Sequence, residues 1–431
     1  PFLLKDMEKS INRTIEAIED NHNIGIISDY DVDGSTSAAI LYNFLISLNV
    51  DAKIKIPNRL TEGYGPNKRI MDEFKKEKVD LIFSLDCGTS SFGILDHKDY
   101  EKIDVIVIDH HISEKKLPNI FSIINPNRVD ENNDLINLAA VGVTFLFILA
   151  LRKILRKKKY FEKKIKEPNL LKYLDLVALG TICDVVNLDI YNRNFVLKGL
   201  EIINKRHHIG LAKIFEKSKI NHTPTSKDLG FIVGPQLNAA SRIDDPFLAS
   251  KILISNNFLE IDKISNKLIL LNEKRKLIEN NIFEQAIEQA IKQNNDKFIF
   301  VHGFGWHTGV LGIISSRLTD KFYKPSIVIS FNNQYGIGSC RSIEPINLGN
   351  IILNAKIENI LIHGGGHKMA AGLKINKSNL DKFKLYLKNT FLKIEQSVYK
   401  KKLIYDLKIS VDEVNQELLE NIEKLEPFGK G

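Results

Sequence analysis

Ile24-Gly25-Ile26-Ile27-Ser28 running into Asp29-Tyr30-Asp31-Val32-Asp33-Gly34-Ser35-Thr36 is the stretch whose reading decides the fold. An Ile-rich run of this length reads as a buried strand. Three carboxylates follow at i, i+2 and i+4, and alternate residues of extended backbone share a face. Gly34-Ser35-Thr36 then reads as a turn that opens an apolar helix over 38–48. Acidic side chains at the carboxyl end of a strand, beside a helix N-terminus, suit a divalent metal held together with phosphate. A single Asp in such a place is commonly a turn former or a helix cap, so the assignment needs partners elsewhere in the chain.

Two further segments repeat the pattern. Asp80-Leu81-Ile82-Phe83-Ser84-Leu85-Asp86-Cys87-Gly88 is an apolar strand ending in Asp, and Asp104-Val105-Ile106-Val107-Ile108-Asp109-His110-His111 ends in Asp-His-His. In an open α/β sheet the strand ends line one crevice, so these residues converge although far apart in sequence. Asp184, within Ala178-Leu179-Gly180-Thr181-Ile182-Cys183-Asp184-Val185-Val186, is a fourth candidate. His110 and His111 are adjacent, so in extended backbone they face opposite ways and take different roles. His207-His208, beside Lys205 and Arg206 and without a carboxylate strand end, reads as an exposed turn between helices. Cys87, Cys183 and Cys340 are isolated, with neither the close pairs of a zinc site nor a disulfide framework. They read as small reduced packing residues.

DYDVDGST, LDCG, IDHH and ALGTICDVV, in that order, resemble the N-terminal motifs of the DHH phosphoesterases. Gly338-Ser339-Cys340-Arg341-Ser342 and His363-Gly364-Gly365-Gly366-His367-Lys368-Met369-Ala370-Ala371-Gly372 are similar to the DHH-associated domain, DHHA1. Within the family the chain resembles the RecJ single-stranded-DNA-specific exonucleases through PFLLKDM (1–7), GPQLNAASR (234–242) and GWHTGVLGIISSRL (305–318). The resemblance spans nearly the whole sequence, and six or more motifs in order are far more specific than any one of them.

The resemblance implies two divalent ions, Mn²⁺ or Mg²⁺, held by Asp29, Asp31, Asp86, His110 and Asp184, with Asp86 shared between them. Mixed carboxylate and imidazole donors favour Mn²⁺ slightly. His111 is implied to face the substrate phosphate, while Asp33 and Asp109 stand behind the ligands; Asp33 is alternatively a cap of the following helix. Arg341, His367, Gly365, Gly366 and Ser339, with Arg242 and His307, are implied to bind the nucleic-acid phosphates. The glycine run is read as a phosphate-cradling loop or else a tight turn. Phe304, Trp306 and Tyr335 are either stacking aromatics or, the better account of any one, core. Ser241 stands where the RecJ pattern usually has Gly, and Gln236 where it is often basic. Both are expected to touch the interdomain region and to bear on strand binding rather than hydrolysis.

The implied activity is 5′ to 3′ removal of mononucleotides from single-stranded DNA in repair and recombination, by a cytoplasmic monomer working with a helicase and a single-strand-binding protein. Two alternatives compete: a DHH hydrolase of short oligonucleotides or cyclic dinucleotides, and a noncatalytic DHH scaffold. The RecJ-type motifs speak against the first and the intact carboxylates and histidines against the second.

The expected fold is α/β, a mainly parallel sheet in the DHH domain plus a smaller α/β DHH-associated domain joined by a long helix, with the active site in the cleft between domains. The expected boundaries are 1–245 for the catalytic domain with a helical extension, 246–297 for the connecting helix, 298–395 for the second domain, and 396–431 for the start of a truncated OB-fold, whose five strands do not fit in the remaining residues. Bulk composition agrees without deciding anything. The 431 residues are 43% hydrophobic, and 61 basic against 53 acidic side chains give a net charge of +8, which permits but does not demand a nucleic-acid partner. The Lys-rich run over 152–166, including Lys157-Lys158-Lys159 and Lys163-Lys164, reads as a solvated helix face. No signal peptide is visible, and the uncharged run over 135–151 is too short to cross a bilayer and reads as a buried helix.

Overall fold

A computed structural model describes residues 2–162, 165–293 and 296–431, so Pro1, Lys163, Lys164, Asn294 and Asn295 lie outside the described residues. The chain divides into two units, 1–272 with 415–431 and 273–414.

The first unit is built on a five-stranded, wholly parallel sheet of β1 (Ile24–Ser28), β2 (Ala52–Lys55), β3 (Leu81–Leu85), β4 (Asp104–Ile108) and β5 (Ser122–Ile124), in the order β2-β1-β3-β4-β5. Strand alternation sorts the side chains into two cores. Ile24, Ile26, Phe83, Leu85, Ile106 and Ile108 face α1 (Met7–Glu19), α2 (Val32–Ser47), α4 (Ala140–Lys157) and α5 (Leu174–Cys183). Ile27, Ile82, Val105 and Val107 face α3 (Lys68–Lys76). Both faces are thus covered, as the near-continuous apolar runs demand. Because β2 and β3 flank β1, the order reverses between β1 and β3, the kind of position where open α/β sheets bind ligands.

The register does the rest. Ser28 pairs with Leu85, and Leu85 with Ile108, so the next residues, Asp29, Asp86 and Asp109, emerge in a row. Each donates its N–H to the adjoining strand, to Leu85, Ile108 and Ile124 respectively, at 3.0–3.1 Å.

The helix after β1 begins six residues earlier than the sequence suggests, at Val32, so Gly34-Ser35-Thr36 lies in its first turn. Asp31 is its N-cap, with a carboxylate 3.1 Å from the Gly34 N–H. That cap satisfies an end-group donor and makes an early start favourable. Gly34 is required because an added Cβ would fall 2.3 Å from the Asp29 carbonyl oxygen. The uncharged run forms α4, largely buried, and its Lys-rich end is exposed, with Arg156 paired to Glu167 and Lys158 to Glu19. His207 is exposed between α6 (Ile190–Asn204) and α7 (Ile209–Lys217), as expected, whereas His208 is half-buried and caps α7 through the Leu211 N–H.

The expected single helix over 246–297 is two helices, Phe247–Ile254 and Phe258–Ile291. Ser255-Asn256-Asn257 separates them, and the Asn257 side chain caps the second through the Glu260 N–H. The unit boundary falls within the second helix.

The second unit carries a mixed sheet in the order β6-β7-β8-β10-β9: β6 (Ile299–Phe304), β7 (Ser326–Phe331), β8 (Tyr335–Arg341), β9 (His363–Gly366) and β10 (Ala370–Asn376). Among these strands only β6 and β7 pair in parallel. Helices Leu348–Ile357 and Leu380–Leu392 cover one face, and Leu311–Phe322 covers β6 and β7 on the other. Residues 403–409, read from sequence as the approach to an OB-fold, form no strand, because no neighbouring strand pairs with them. No helix among the described residues is long and apolar enough to cross a membrane.

Candidate metal centre and phosphate-binding face

Seven of the sequence-predicted residues meet at the carboxyl ends of β1, β3 and β4. Three overlapping groups could each hold an ion among the described residues: Asp29 with Asp31 and Asp86; Asp86 with His110 and His111; and Asp33 with His110 and Asp184. Asp86 and His110 each belong to two of them. The His110 Nε2 atom lies 3.4 Å from Asp86 Oδ1, 3.5 Å from Asp184 Oδ2 and 3.9 Å from Asp33 Oδ2. Asp184 arrives from the C-terminal end of α5, for which it is the cap residue.

Asp29 Oδ1, Asp86 Oδ1 and His110 Nε2 are buried and have no hydrogen-bond partner. Such atoms are costly unless something binds them, and hard cations accept this donor set. The residues therefore fit a divalent-metal site. Their electrostatics agree. Burial, then Asp31, pushes the Asp29 carboxyl well above its ordinary range; burial, then Asp33, does the same to Asp86, and burial, then Asp184, to Asp33. Asp184 is raised to about 7 by burial and by Asp31. Burial, aided by the charge of His111, lowers His110 to about 4, leaving a neutral ring with a nitrogen lone pair at pH 7.

Asp33 does cap a helix, but not the one that follows it. Its two oxygens accept the N–H groups of Ala140 and Val141, at 2.7 and 2.8 Å, at the start of α4. The two histidines also differ from expectation. Asp109 Oδ1 accepts the backbone N–H groups of both, at 2.7 and 3.2 Å, and bends the chain out of the extended conformation. The rings consequently lie on one side with centroids 4.6 Å apart, instead of facing opposite ways. Asp109 Oδ1 also lies 2.7 Å from His111 Nδ1. Burial opposes charge on His111, but the Asp109 carboxylate outweighs it and holds the ring up to about 9, while Asp109, against its own burial, is lowered in return.

Several residues here were not picked out from sequence. Tyr64 donates its hydroxyl to the Asp86 carbonyl at 2.9 Å and lies 3.2 Å from His111 Nδ1; its signal was the Gly63-Tyr64-Gly65 triplet, with both glycines at positive φ. Asn125 and Asn127 hold the carbonyls of His111 and His110. Arg59 lies over the Tyr30 ring at 4.8 Å and acts on Asp29. Arg242, which the sequence did single out, is half-buried in the helix Gly234–Ile243 and acts on the Tyr30 phenol. Gln236 and Ser241 are buried inside the first unit, where Gln236 donates to Ser218 and Ser241 to the Asn238 carbonyl. Their neighbours account for them as packing residues. Cys87 and Cys340 are buried, Cys183 is half-buried, and all three are free thiols.

In the second unit the glycine run is a strand rather than a loop. Gly365 pairs with Gly372, which pairs with Ser339, so the three form one row across β9, β10 and β8. Arg341 pairs with Ala370, and His367 closes the hairpin by donating its N–H to the Ala370 carbonyl. A Cβ at Gly365 would meet nothing, whereas at Gly366, φ +152, it would fall 2.3 Å from the Ala370 oxygen. Arg341 Nη1 is 3.4 Å from Ser339 Oγ, and a Cβ at Gly312 would come within 3.3 Å of both side chains. Gly312, missed in the sequence, keeps that space open. His307 caps Thr308–Val310 through the Gly309 N–H. Trp306 is core and donates to Gln285, but Phe304 and Tyr335 are 61% and 39% exposed, each with a Lys over its ring.

The "DHH family, N-terminal domain" matches residues 23–181 and the "DHHA1 domain" residues 295–393. The chain is 34% identical to the single-stranded-DNA-specific exonuclease RecJ of Haemophilus influenzae, across 100% of this chain and 77% of that protein. It is 33% identical to RecJ of Escherichia coli, across 99% and 76%.

The chain belongs to the RecJ family.

Among solved structures, an exonuclease RecJ bound to manganese superposes with a TM-score of 0.79 at 29% identity, covering 92% of this chain and 97% of that one. RecJ from Thermus thermophilus in complex with Mn²⁺ superposes at 0.84 with 27% identity, covering 99% and 60%. The RecJ relationship joins the metal-type donors and the uncovered glycine row in one chain.

Proposed function

We propose that this RecJ-family chain is a single-stranded-DNA-specific 5′ to 3′ exonuclease that releases mononucleotides by hydrolysis assisted by two divalent ions, Mn²⁺ or Mg²⁺. The observation that carries the reading is the set of buried, unpartnered donor atoms on Asp29, Asp86 and His110 at the strand ends. Asp29, Asp31, Asp86, His110 and Asp184 would hold the metal, with Asp86 shared. Bound ions would supply an activated water for in-line attack on phosphorus and neutralise charge on the departing 3′ oxygen. No protein nucleophile is needed.

The chain's own residues do the rest. Neutral His110 offers a lone pair, and Asp33, locked on the α4 N-terminus, supports the wall behind it. His111, held protonated by Asp109, supplies a cation for a nonbridging phosphate oxygen as charge develops. Arg341 offers a planar fork, and Ser339, His367 and the bare backbone at Gly365 and Gly366 complete a surface that a phosphate can approach closely. Arg242 and His307 contribute further strand contacts. We assign the work to repair and recombination in the cytoplasm, by a monomer acting with a helicase and a single-strand-binding protein.

The test is degradation of 5′-labelled and 3′-labelled single-stranded DNA with Mn²⁺, beside duplex and dinucleotide controls. Early release of the 5′ label as mononucleotide is expected. Cleavage of dinucleotides alone, or binding without cleavage, would overturn the proposal.

A further inference from the structure

Glu426-Pro427-Phe428-Gly429-Lys430 follows the helix Gln416–Glu423 and returns to the first unit. Its carbonyls are taken up almost one by one. Arg193 donates to the Glu426 and Pro427 oxygens at 2.9 and 3.1 Å, Ser226 Oγ to Phe428 at 2.7 Å, and the Leu188 N–H to Lys430 at 2.7 Å. Asn187 and Lys430 form a parallel bridge, and Pro427 is buried. A Cβ on Gly429 would meet Leu188 at 2.5 Å. A segment with so many backbone partners is seated, not merely adjacent.

What it grips is the short loop after Asp184. Val185, immediately after the candidate ligand, has φ +58, a left-handed conformation that a β-branched residue adopts only under constraint. Val185 is 59% exposed, so burial does not impose that conformation. The constraint comes from both sides: the end of α5 on one, and on the other the clamped Asn187-Leu188 pair leading to Asp189, which caps α6.

We infer that residues 426–430 are a strap that positions Asp184 for metal binding, with Arg193 and Ser226 as the positioning residues that seat it. The inference rests on the reading of Asp184 as a metal ligand. It gives the PFG-containing stretch a role in the chemistry of the first unit, and predicts that changes remote from the donors tune metal affinity.

The experiment is Mn²⁺ titration by calorimetry, with amide exchange over 185–188 and 428–430, on the full chain and its variants. Arg193→Ala combined with Ser226→Ala should free the strap, loosen the loop and weaken Mn²⁺ binding about tenfold, the scale of losing a residue that orients a ligand. Adding Val185→Gly, which takes positive φ without strain, should restore most of that affinity. Single Ser226→Ala and Gly429→Val variants should give smaller shifts in the same direction with the fold retained. Unchanged Mn²⁺ affinity in a variant whose strap exchanges freely would overturn the inference. An Asp184→Asn control separates the two failures: if it too leaves Mn²⁺ binding unchanged, the ligand reading falls; if it alone weakens binding, only the strap does.

Discussion

The strand ends of the first unit and the glycine-lined sheet face of the second hold their functional groups in opposite ways. Asp29 and Asp86 are 4% and 2% exposed, are pushed upward in pKa, and have oxygens with no partner. Ser339 and Arg341 are half-buried and His367 is exposed, on a face whose floor is bare backbone. Burial concentrates charge where a metal can repay the desolvation, and it fixes positions to within the tolerance that hydrolysis requires. On the proposed reading this second surface takes up and releases a strand, and such a surface is better left wet, where its ionic contacts are individually modest. The difference teaches that chemistry and grip can be disturbed separately.

The largest effect should follow from the shared carboxylate. Asp86→Ala is expected to lower kcat by about 10³-fold or more, at least what one group aimed at developing charge supplies, with single-strand affinity nearly unchanged in a gel-shift assay. Equal losses in kcat and affinity would erase the contrast between the regions. Arg341→Ala should act the other way, raising KM by about 10–100-fold through loss of a charge-assisted hydrogen bond while leaving Mn²⁺ binding intact. Lys at 341 should recover only part of this, because it lacks the planar fork.

A smaller effect tests the support behind the metal donors. Asp33→Ala removes the acceptor of two N–H groups at the start of α4 and should destabilise the Mn²⁺-saturated protein by about 1–2 kcal/mol, the cost of a lost cap. Asn at 33 retains one acceptor and should cost less, as chemical denaturation would reveal.

The fourth expectation concerns pH. The Asp184 carboxyl rises from an ordinary 3.8 to about 7 in the fold. A raised pKa favours the neutral form, so its contribution to stability is present below about pH 4 and is lost as pH climbs toward 7. Metal-free Asp184→Asn should therefore match the parent chain at pH 4 and exceed it by roughly 1–2 kcal/mol at pH 8. Mn²⁺ should reverse that order. A parent chain that is more stable than the variant at pH 8 without metal would show that Asp184 is not strained by its neighbours.

Much of the first region was legible in the sequence because strand ends are local events. Apolar runs ending in Asp29, Asp86 and Asp109 gave both the sheet and the line of carboxylates. The early start of α2 was obscured because Asp31 serves as ligand candidate and N-cap together, and the sequence cannot rank those roles. The turn at His110 and His111 depends on Asp109 accepting two backbone donors, a tertiary detail that a strict strand period misses. Tyr64, Asn125 and Asn127 act through backbone carbonyls, and such roles leave little mark on side-chain chemistry. The second region was less legible. Three consecutive glycines suggested a loop, yet the approach of Ala370 and Ala371 to Gly366, and of Ile352 to Gly364, leaves no room for a Cβ at those two positions of the strand.

The central claim is that the buried, unpartnered donors at the strand ends, whose carboxyl pKa values burial and mutual repulsion push upward, form a site for two divalent ions. The most direct test is calorimetric titration of the metal-free chain with Mn²⁺ at pH 7 in two buffers of different ionisation enthalpy. The account predicts two ions per chain, release of protons on binding, and loss of at least one ion in Asp86→Ala. Binding of a single ion without proton release, unaffected by that substitution, would contradict it.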